Sequence, residues 1–530
     1  MSDTGVRGAQ AASANARAVA PRREVRGAQA ATGTGQTGTI SSAPLDPHGP
    51  RPLSELVVAL PGHEIRGDAG ARVSDVVYRS DDAHTGAMFA CIPGSRVDGH
   101  AFASDAIARG AAALLVEHFL DLDAPQVRVP SVREALGPLS AEVFGRPADR
   151  MTLVGVTGTN GKTTTTYLLE SVFNAAGRRP GVIGTTGVRI DGAVTSFPRT
   201  TPEAPDLQRL FVRMAAAGVD AVAMEVSSHG LDQHRVDGVR YACAVFTNLS
   251  QDHLDYHPSM DAYLAAKARL FTPAMSDVGV VNADSVEGRA IADPRLPTIT
   301  YAIDADADVR ATGVEATASG IRFSVGGVVV TSRLRGRFNV ENCLAAFAAS
   351  RAIGIADADA VDGIASLPGV PGRLETIEEG QDFLVVVDYA HTPDGIANVL
   401  GAVRPLATGR VIVVFGAGGD RDRAKRPLMG RVATSTADVT IVTSDNPRSE
   451  DPLAILGEIE PGARQGGGRY EIEPDRRAAI RAAIGLARPG DVVVIAGKGH
   501  ETGQELADRT IPFDDRIEAA EALRAMGGRS

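Results

Sequence analysis

The 530-residue sequence predicts an α/β protein of three domains. A small N-terminal α/β unit precedes a central, mostly parallel sheet of the phosphate-loop type, and a Rossmann-like C-terminal unit follows. Three observations predict this. Short apolar runs alternate with helical stretches along most of the chain, as expected of parallel strands joined by crossover helices and covered on both faces. In the last third of the chain each such run ends in a charged or glycine-rich loop, where open α/β sheets collect their ligands. Finally, residues 153–164, LVGVTGTNGKTT, read as an apolar strand, a glycine-punctuated loop and the start of a helix.

The first fifty residues stand apart from this pattern. They are rich in Ala, Gly, Thr and Ser, and VRGAQAA occurs twice, at Val6–Ala12 and Val25–Ala31. Arg7, Arg17, Arg22, Arg23 and Arg26 make the segment mildly basic. It lacks the apolar core of a secretory signal, and Asp3 and Glu24 weaken an organelle-targeting reading. A disordered extension over 1–50 is expected.

The first folded unit is expected over 51–149. Apolar runs at Val76–Tyr78, Ala87–Ile92 and Ala111–Val116 alternate with helical stretches such as Phe102–Arg109. The turn-rich loop GSRVDGH, Gly94–His100, has the composition of a ligand loop and equally of a plain connection.

The second unit, 150–367, opens with the phosphate loop. Gly158 and Gly161 let backbone N–H groups turn toward an anion, and the following helix adds its positive N-terminal end. Lys162 can reach outer phosphates, and the Thr163 hydroxyl suits a Mg²⁺ ligand. Val156 stands where the strict G-x-x-x-x-G-K-[ST] pattern has its first glycine, so the loop is a variant. Strand-like runs follow at Gly181–Gly184, Ala221–Val226, Cys243–Asn248 and Val278–Asn282. Two of them end in polar clusters, Glu225–His229 and Ser250–His257; in a phosphate-loop domain such clusters point to metal and phosphate chemistry. Lys267, in the helical stretch Met260–Phe271, reads on its own as a solvent-facing lysine. Asp308–Leu334 predicts antiparallel edge strands with glycine turns, and Phe338–Ala352 returns to helix.

The third unit, 368–530, repeats the alternation with runs at Phe383–Val387, Val411–Phe415, Val439–Val442 and Val492–Ala496. Their loops are DYAHTPD, GAGGDRDRAKRP, SDNPRSED and GKGHE, which together would line one polar rim. The GxGG at Gly416 lacks the spacing of a dinucleotide fingerprint. On the residues alone, this unit reads as a lid over substrate.

Composition narrows the function. A net charge of −11 argues against nucleic acid or an anionic membrane as main partner, while leaving room for local basic pockets. Cys91, Cys243 and Cys343 lie far apart in apolar stretches, as buried thiols in a reducing compartment would. No apolar run is long enough to span a bilayer, so membrane insertion is not expected.

TGTNGKTT, MEVSSHGLDQHR, NLSQDHLDYH, DYAHTPD, SDNPRSED and GKGHE, in this order and spacing, resemble the Mur ligase family over roughly residues 52–525. The closest likeness is to the members that build the UDP-MurNAc-tripeptide. The resemblance implies a cytoplasmic, monomeric ATP-dependent ligase of peptidoglycan precursor synthesis. Its partners would be ATP, a UDP-N-acetylmuramoyl-dipeptide and an amino acid, with Mg²⁺ as cofactor. Such an enzyme works through an acyl phosphate, a chemistry of positioning and charge neutralisation.

The resemblance also implies residue roles. Lys162, Glu225, His253 and Lys267 would be catalytic, with Thr163, Glu225, His253 and a carbamylated Lys267 around Mg²⁺. Gly158, Thr159, Asn160, Gly161, Lys162, Thr163 and Thr164 would hold ATP, faced by Asn342, Arg373, Asp388 and His391. Thr200, Thr201, Ser227, Gln233 and Arg235 would contact the UDP-MurNAc-peptide, with Ser80, Ser95, Arg96 and Val97 at the uridine. The family's Asp-Ser-Arg triplet stands here as Arg79-Ser80-Asp81, so only the serine carries over. The DNPR form resembles members that add meso-diaminopimelate. Arg448 could grip its distal carboxylate bidentately with Arg421 nearby, and Asp445, Asn446, Gly497 and Glu501 would complete the site.

Three alternatives remain at this point: an L-lysine-adding member, another amide ligase such as a folylpolyglutamate synthase, or a non-catalytic nucleotide-binding regulator. The last would have no use for Lys267, His253 and Arg448 together.

Overall fold

The computed structural model describes residues 49–94, 97–317 and 319–527. Most of the expected disordered extension therefore lies outside the described residues.

Three sheets carry the chain. The first has β1 (Glu64–Arg66), β2 (Asp75–Val77), β3 (Ala87–Ala90), β4 (Ala113–Val116) and β5 (Gln126–Arg128), in the order β1-β5-β4-β3-β2. β3 and β4 are buried along their whole length. Helix α1 (Val132–Val143) packs Leu136 and Leu139 into the same core.

The second sheet has eleven strands. At its centre β6 (Thr152–Thr157) lies parallel to both of its neighbours, and every residue of β6 after Thr152 is buried. The remaining strands are β7 (Pro180–Gly184), β8 (Gly187–Ile190), β9 (Ala193–Thr195), β10 (Ala221–Glu225), β11 (Cys243–Phe246), β12 (Gly279–Asn282), β13 (Thr298–Ala302), β14 (Val309–Thr317), β15 (Gly320–Val325) and β16 (Val328–Ser332). Their order is β9-β8-β7-β10-β6-β11-β12-β13-β14-β15-β16. The flanks of β6 are thus β10 and β11, in a register that pairs Ala223 with Val154 and Val245 with Val156. Because the sheet is covered on both faces, those strands carry almost no polar side chain until they end. Their carboxyl ends then release Thr157, Glu225 and Thr247 together on one rim.

Antiparallel strands edge this sheet on both sides. The β14–β16 meander is the antiparallel edge that the sequence predicts. The β8–β9 hairpin is an addition: Asp191 and Gly192 both have positive φ (51° and 79°), the geometry of a two-residue primed turn. The Asp-Gly pair is the residue signal for this turn.

Helix α2 (Lys162–Ala175) starts from Gly161 and buries Leu168, Leu169, Val172 and Phe173 under the sheet. Three more helices matter for the site: α3 (Ser228–Asp232), α4 (Met260–Ala268) and α5 (Phe338–Ala352).

The third sheet holds β17 (Glu375–Thr376), β18 (Leu384–Asp388), β19 (Val411–Phe415), β20 (Val439–Val442), β21 (Arg469–Ile472) and β22 (Val492–Ala496), in the order β17-β18-β22-β19-β20-β21. All pairs from β18 to β21 are parallel. Helices α6 (Pro393–Val403) and α7 (Lys425–Thr436) cover it on the side that meets the second sheet's loops. A final ribbon, Gly503–Glu505 with Thr510–Pro512, follows GKGHE. Cys91, Cys243 and Cys343 are all buried and unpaired, as their apolar neighbours suggest. Among the described residues no helix is long and apolar enough to cross a membrane.

Candidate active site

Two glycines shape the loop between β6 and α2. Gly158 has φ +147° and Gly161 +86°; a Cβ on the first would collide with Thr247 Oγ1, and on the second with Asn342 Oδ1. The loop is pinned from the end of β11: Asn160 N donates to Asn248 Oδ1 (2.9 Å), Thr159 Oγ1 to Ser250 O (3.1 Å), and Thr247 Oγ1 to Asn160 O (2.6 Å). Its backbone N–H groups are thereby held around the N-terminus of α2, a ready anion seat.

Two lysines converge on it. Lys162 Nζ donates to Gly158 O (2.9 Å) and Thr159 O (2.8 Å), and Lys267 Nζ donates to Gly158 O (3.0 Å). Lys267 is only 1 % exposed, 4.2 Å over the ring of Tyr263, so its reading as a solvent-facing lysine is corrected. The helix α4 presents Asp261 to solvent, but position 267 faces the loop. Burial drives the Lys267 ammonium well below its ordinary pKa, the charge of Lys162 adds to the effect, and Asp252 opposes it. Burial also lowers Lys162, against the pull of Glu225 and Asp252. The low-dielectric pocket favours a neutral amine at Lys267, and a neutral amine is a nucleophile.

Glu225, at the carboxyl end of β10, is 1 % exposed and accepts from Thr185 N and Thr185 Oγ1, both at 3.0 Å. His253 adopts a positive φ of 56°, which swings its ring inward, edge-on to His229 with centroids 4.8 Å apart. Burial lowers its pKa to about 3, so it is a neutral imidazole.

The third sheet does more than cover this rim, which corrects the lid reading. Arg373 Nη2 donates to Thr163 Oγ1 (3.1 Å) while its guanidinium lies 4.5 Å over the Tyr389 ring. Asp388 accepts from Leu374 N (2.7 Å) and Ala390 N (2.8 Å), and burial raises its pKa. His391 sits 3.6 Å from Asp252. Asp394 accepts from Asn160 Nδ2 at 2.9 Å. Together these segments enclose a cavity of about 410 Å³.

Every residue expected at ATP lines this cavity: Gly158 to Thr164, Asn342, Arg373, Asp388 and His391. So do Glu225, His253 and Lys267, and, of the peptide set, Thr200 and Ser227. Thr201, Gln233 and Arg235 continue from it outside the lining. Thr201 Oγ1 donates to Glu225 O (2.9 Å), and Arg235 donates to Thr201 O (3.1 Å) and Gln233 Oε1 (2.5 Å). Ser80, in a short turn Ser80–Asp82, and Val97, 56 % exposed, lie beside the first sheet and are not joined to the cavity. Ser95 and Arg96 lie outside the described residues.

Sequence reasoning missed Asp252, Thr185 and Lys425. Asp252 stood inside a quoted motif beside His253; Lys425, from α7, meets it at 3.1 Å with both side chains buried. Only the tertiary contact singles out the lysine.

A second cluster gathers at the loops of the third sheet. Asn446 Nδ2 donates to Glu501 Oε2 (2.8 Å), and the fully buried Lys498 donates to Asn446 Oδ1 (2.9 Å) and Glu501 Oε2 (3.0 Å). Gly497 has φ +121°, and a Cβ there would strike the Asp445 carboxylate. Arg448 Nε donates to Glu505 Oε2 (2.7 Å) and Nη1 to Gly419 O (2.8 Å). A Cβ on Gly418 would sit 2.9 Å from Arg448 Nη1 and 3.8 Å from Arg421 Cγ, so both arginine arms pass this glycine. None of these residues lines the phosphate-loop cavity.

Among the described residues no group of three or more His, Cys, Asp and Glu side chains is disposed around a metal site. The donor set nevertheless fits Mg²⁺. The Thr163 hydroxyl and Glu225 carboxylate are hard oxygen donors lining the cavity of the phosphate loop, and Mg²⁺ characteristically takes one or two protein ligands plus water and phosphate.

The comparisons with known proteins cover the same three regions. Family profiles match residues 72–143 (Mur ligase family, catalytic domain), 156–350 (Mur ligase middle domain) and 372–499 (Mur ligase, glutamate ligase domain). A UDP-N-acetylmuramoyl-L-alanyl-D-glutamate--2,6-diaminopimelate ligase of Geobacillus thermodenitrificans is 46 % identical over 486 residues, covering 89 % of this chain and 99 % of that protein. A Streptomyces coelicolor protein of the same name is 44 % identical over 90 % of this chain and 97 % of its own length. A solved structure of a ligase of that name superposes with a TM-score of 0.65 at 35 % identity, covering 90 % of this chain and 99 % of that one. MurF from Acinetobacter baumannii, at 20 % identity and a TM-score of 0.62 over 92 % of this chain and 100 % of its own, shares the fold. The motifs, the three-part architecture and these relatives agree, and the chain belongs to the Mur ligase family.

Proposed function

We propose that the protein is the ATP-dependent ligase that adds meso-2,6-diaminopimelate to UDP-N-acetylmuramoyl-L-alanyl-D-glutamate, a cytoplasmic step of peptidoglycan precursor synthesis carried out by the monomer. The observation that carries the reading is the convergence of Lys162 and Lys267 on Gly158 in a cavity shared with Glu225, Thr200 and Ser227. Relatives of the same name, at 42–46 % identity over most of the chain, support it. The division of labour would follow 51–149 for uridine, 150–367 for ATP and 368–530 for the amino acid.

A carboxylate is a poor electrophile, so it is activated first. An oxygen of the terminal D-Glu γ-carboxylate attacks the γ-phosphorus of ATP; the bond to the bridging oxygen breaks, leaving ADP and an acyl phosphate. The amine of diaminopimelate attacks the acyl carbon, and the tetrahedral intermediate expels phosphate as the nitrogen loses its proton. Such transfer depends on alignment and charge balance. Lys162 and the α2 N-terminus hold the phosphates, and Arg373 faces them from the third sheet. Thr200 and Ser227 orient the peptide, while Thr201, Gln233 and Arg235 extend its seat. Lys267, as a neutral buried amine, would take up CO₂ and become an anionic carbamate. Thr163, Glu225, His253 and that carbamate would hold Mg²⁺, which when bound neutralises charge on the phosphates.

Amino-acid choice would rest on the second cluster. Arg448, now on Glu505, would take the distal carboxylate of diaminopimelate with Arg421, while Asp445, Asn446, Gly497 and Glu501 surround the distal ammonium. L-lysine lacks that carboxylate and would leave Arg448 on Glu505, forgoing the charge-assisted pair with the substrate, a difference of about 1.5–3 kcal/mol. The test is direct: purified protein with ATP, Mg²⁺ and UDP-MurNAc-L-Ala-D-Glu should release phosphate when meso-diaminopimelate is added. Equal turnover with L-lysine would overturn the specificity, and turnover with neither would overturn the function.

A further inference from the structure

The cavity has two chemically different ends. One holds the phosphate loop, Lys162, Lys267 and Arg373, and opens toward Thr200 and Ser227. The other is lined by Phe338, Glu341 and Asn342 on the first turn of α5, and by Asn398 and Val399 on α6. Residues 338, 341 and 342 share one helix face. No lysine or arginine among the described residues lines this second end. It combines an apolar ring, an aliphatic side chain and the Glu341 carboxyl. That set repels phosphate and suits a flat heterocycle bearing N–H donors.

The direction of the nucleotide follows. Its outer phosphates sit at Gly158–Thr163, and the peptide approaches by Thr200 and Ser227. Ribose and base must therefore run the other way, past Asn342, whose Oδ1 stands against Gly161. We propose that Glu341 reads the nucleobase of the phosphate donor, selecting adenine by pairing its carboxyl group with the ring nitrogen and exocyclic amine of one base edge. The inference rests on the reading of this cavity as the ATP site.

The surroundings of Glu341 leave it free for that task. Among the described residues its side-chain hydrogen bond is a long one, from Asn282 Nδ2 at 3.4 Å. Asn282 is itself committed to Thr247 O (3.1 Å) and, through Oδ1, to Asp284 N (2.9 Å). The charged and titratable groups that face Glu341 are Asp284 after β12, Tyr301 on β13, Arg337 just before α5 and Asp394 on α6. Burial is the main influence and Asp284 the next; together with Asp394 they outweigh Arg337 and the Asn282 bond and raise the carboxyl pKa to about 7.

The protonation state changes what this carboxyl can recognise. A neutral acid donates one O–H and accepts one N–H, which complements adenine: a ring nitrogen that accepts beside an amine that donates. An ionised carboxylate only accepts, and it complements the paired N–H donors of guanine instead. As pH rises through about 7, Glu341 loses its proton and the preference for adenine should weaken.

Titration calorimetry of the full-length protein with ADP and with GDP, at pH 6 and pH 8, tests this. The ratio of the two affinities cancels the titration of the diphosphate itself. The parent should prefer ADP at pH 6 and lose about fivefold to tenfold of that preference at pH 8. Glu341→Gln, whose amide donates and accepts at either pH, should keep the preference and make it independent of pH. Glu341→Ala should lose about tenfold of it at pH 6. An ADP-to-GDP ratio unchanged in Glu341→Ala, or a pH dependence that survives in Glu341→Gln, overturns the role of Glu341. Failure of ADP to bind at all would instead overturn the ATP-site reading.

Discussion

Lys162 Nζ and Lys267 Nζ donate to the same carbonyl oxygen, that of Gly158, at 2.9 and 3.0 Å. Two ammonium groups on one acceptor are costly in a buried site; burial lowers the pKa of both, and the charge of Lys162 lowers Lys267 further. The arrangement is resolved chemically if one lysine stops being a cation. Lys162 has the phosphates of ATP to meet; Lys267, fully enclosed over Tyr263, does not.

Replacing Lys267 with Ala should therefore abolish ligase activity by at least about a hundredfold, on the scale of removing a preorganised charged group. Short carboxylates such as acetate or formate, supplied at high concentration, should restore part of it by occupying the place of the carbamate. Phosphate release measured with and without the added acid checks this. Full activity of Lys267→Ala with nothing added would show that the lysine has no such role.

The contact between Asp252 and Lys425 gives a second expectation. Burial pushes the Asp252 carboxyl up, but the nearby His391 and the Lys425 ammonium outweigh it and hold the group well below the usual carboxylate range. Lys425→Met would leave a buried carboxylate without its cation, a loss of about 3–5 kcal/mol. Adding Asp252→Asn to that variant should recover most of the loss. Chemical denaturation of both variants against the parent decides it, and a single variant within about 0.5 kcal/mol of the parent would refute the coupling.

Most of the rim was legible because β-strand ends are legible. Glu225, Thr247 and Asp388 each close a run of buried apolar residues, so period and polarity mark them. The phosphate loop was legible from Gly158, Gly161 and Lys162, since only that composition tolerates both the positive φ and the close approach of Thr247 and Asn342. Lys267 was not. A helix surface mixes solvent-facing and site-facing lysines, and nothing in Met260–Phe271 distinguishes them until Gly158 and Tyr263 are placed beside it. Lys425 and Glu341 escaped for the same reason, each acquiring its meaning from residues of another sheet or distant in the chain, and Thr185 matters only through Glu225 on the neighbouring strand. The β8–β9 hairpin is a different case, for Asp191-Gly192 announced the turn while its strands of four and three residues were too short to carry a period.

His500 gives the pH dependence of stability. Burial, with the charge of Arg373, lowers its pKa to about 4 in the folded protein, against about 6.5 for a solvated imidazole. The unfolded chain therefore binds this proton more readily, and stability is lost as pH falls from about 6.5 to about 4. His500→Gln, which cannot take up the proton, should lose about 2 kcal/mol less than the parent between pH 7 and pH 4 after allowance for solvent screening. Urea denaturation at the two pH values measures the difference. Identical losses in parent and variant would show that His500 titrates normally.

Arg448 carries the specificity prediction. Its φ of 52° is an uncommon backbone state for arginine, and the loop holds it there through Arg448 N to Glu505 O at 3.0 Å. The guanidinium is thus delivered beside Gly418 and Gly419 with one edge on Glu505, an acceptor that a substrate carboxylate can replace in kind. Lysine at this position would keep the charge but lose the planar fork that matches a carboxylate with two parallel hydrogen bonds. Arg448→Lys should raise KM for meso-diaminopimelate by about tenfold to a hundredfold, while KM for ATP stays within about twofold because the two clusters share no lining residue. Arg448→Ala should narrow the advantage of diaminopimelate over L-lysine further, since the guanidinium that rewards the distal carboxylate is then gone. Steady-state phosphate release with each amino acid distinguishes these cases: an unchanged ratio of kcat/KM values in Arg448→Ala would place the discrimination elsewhere in the loop cluster, with Arg421 the next residue to replace.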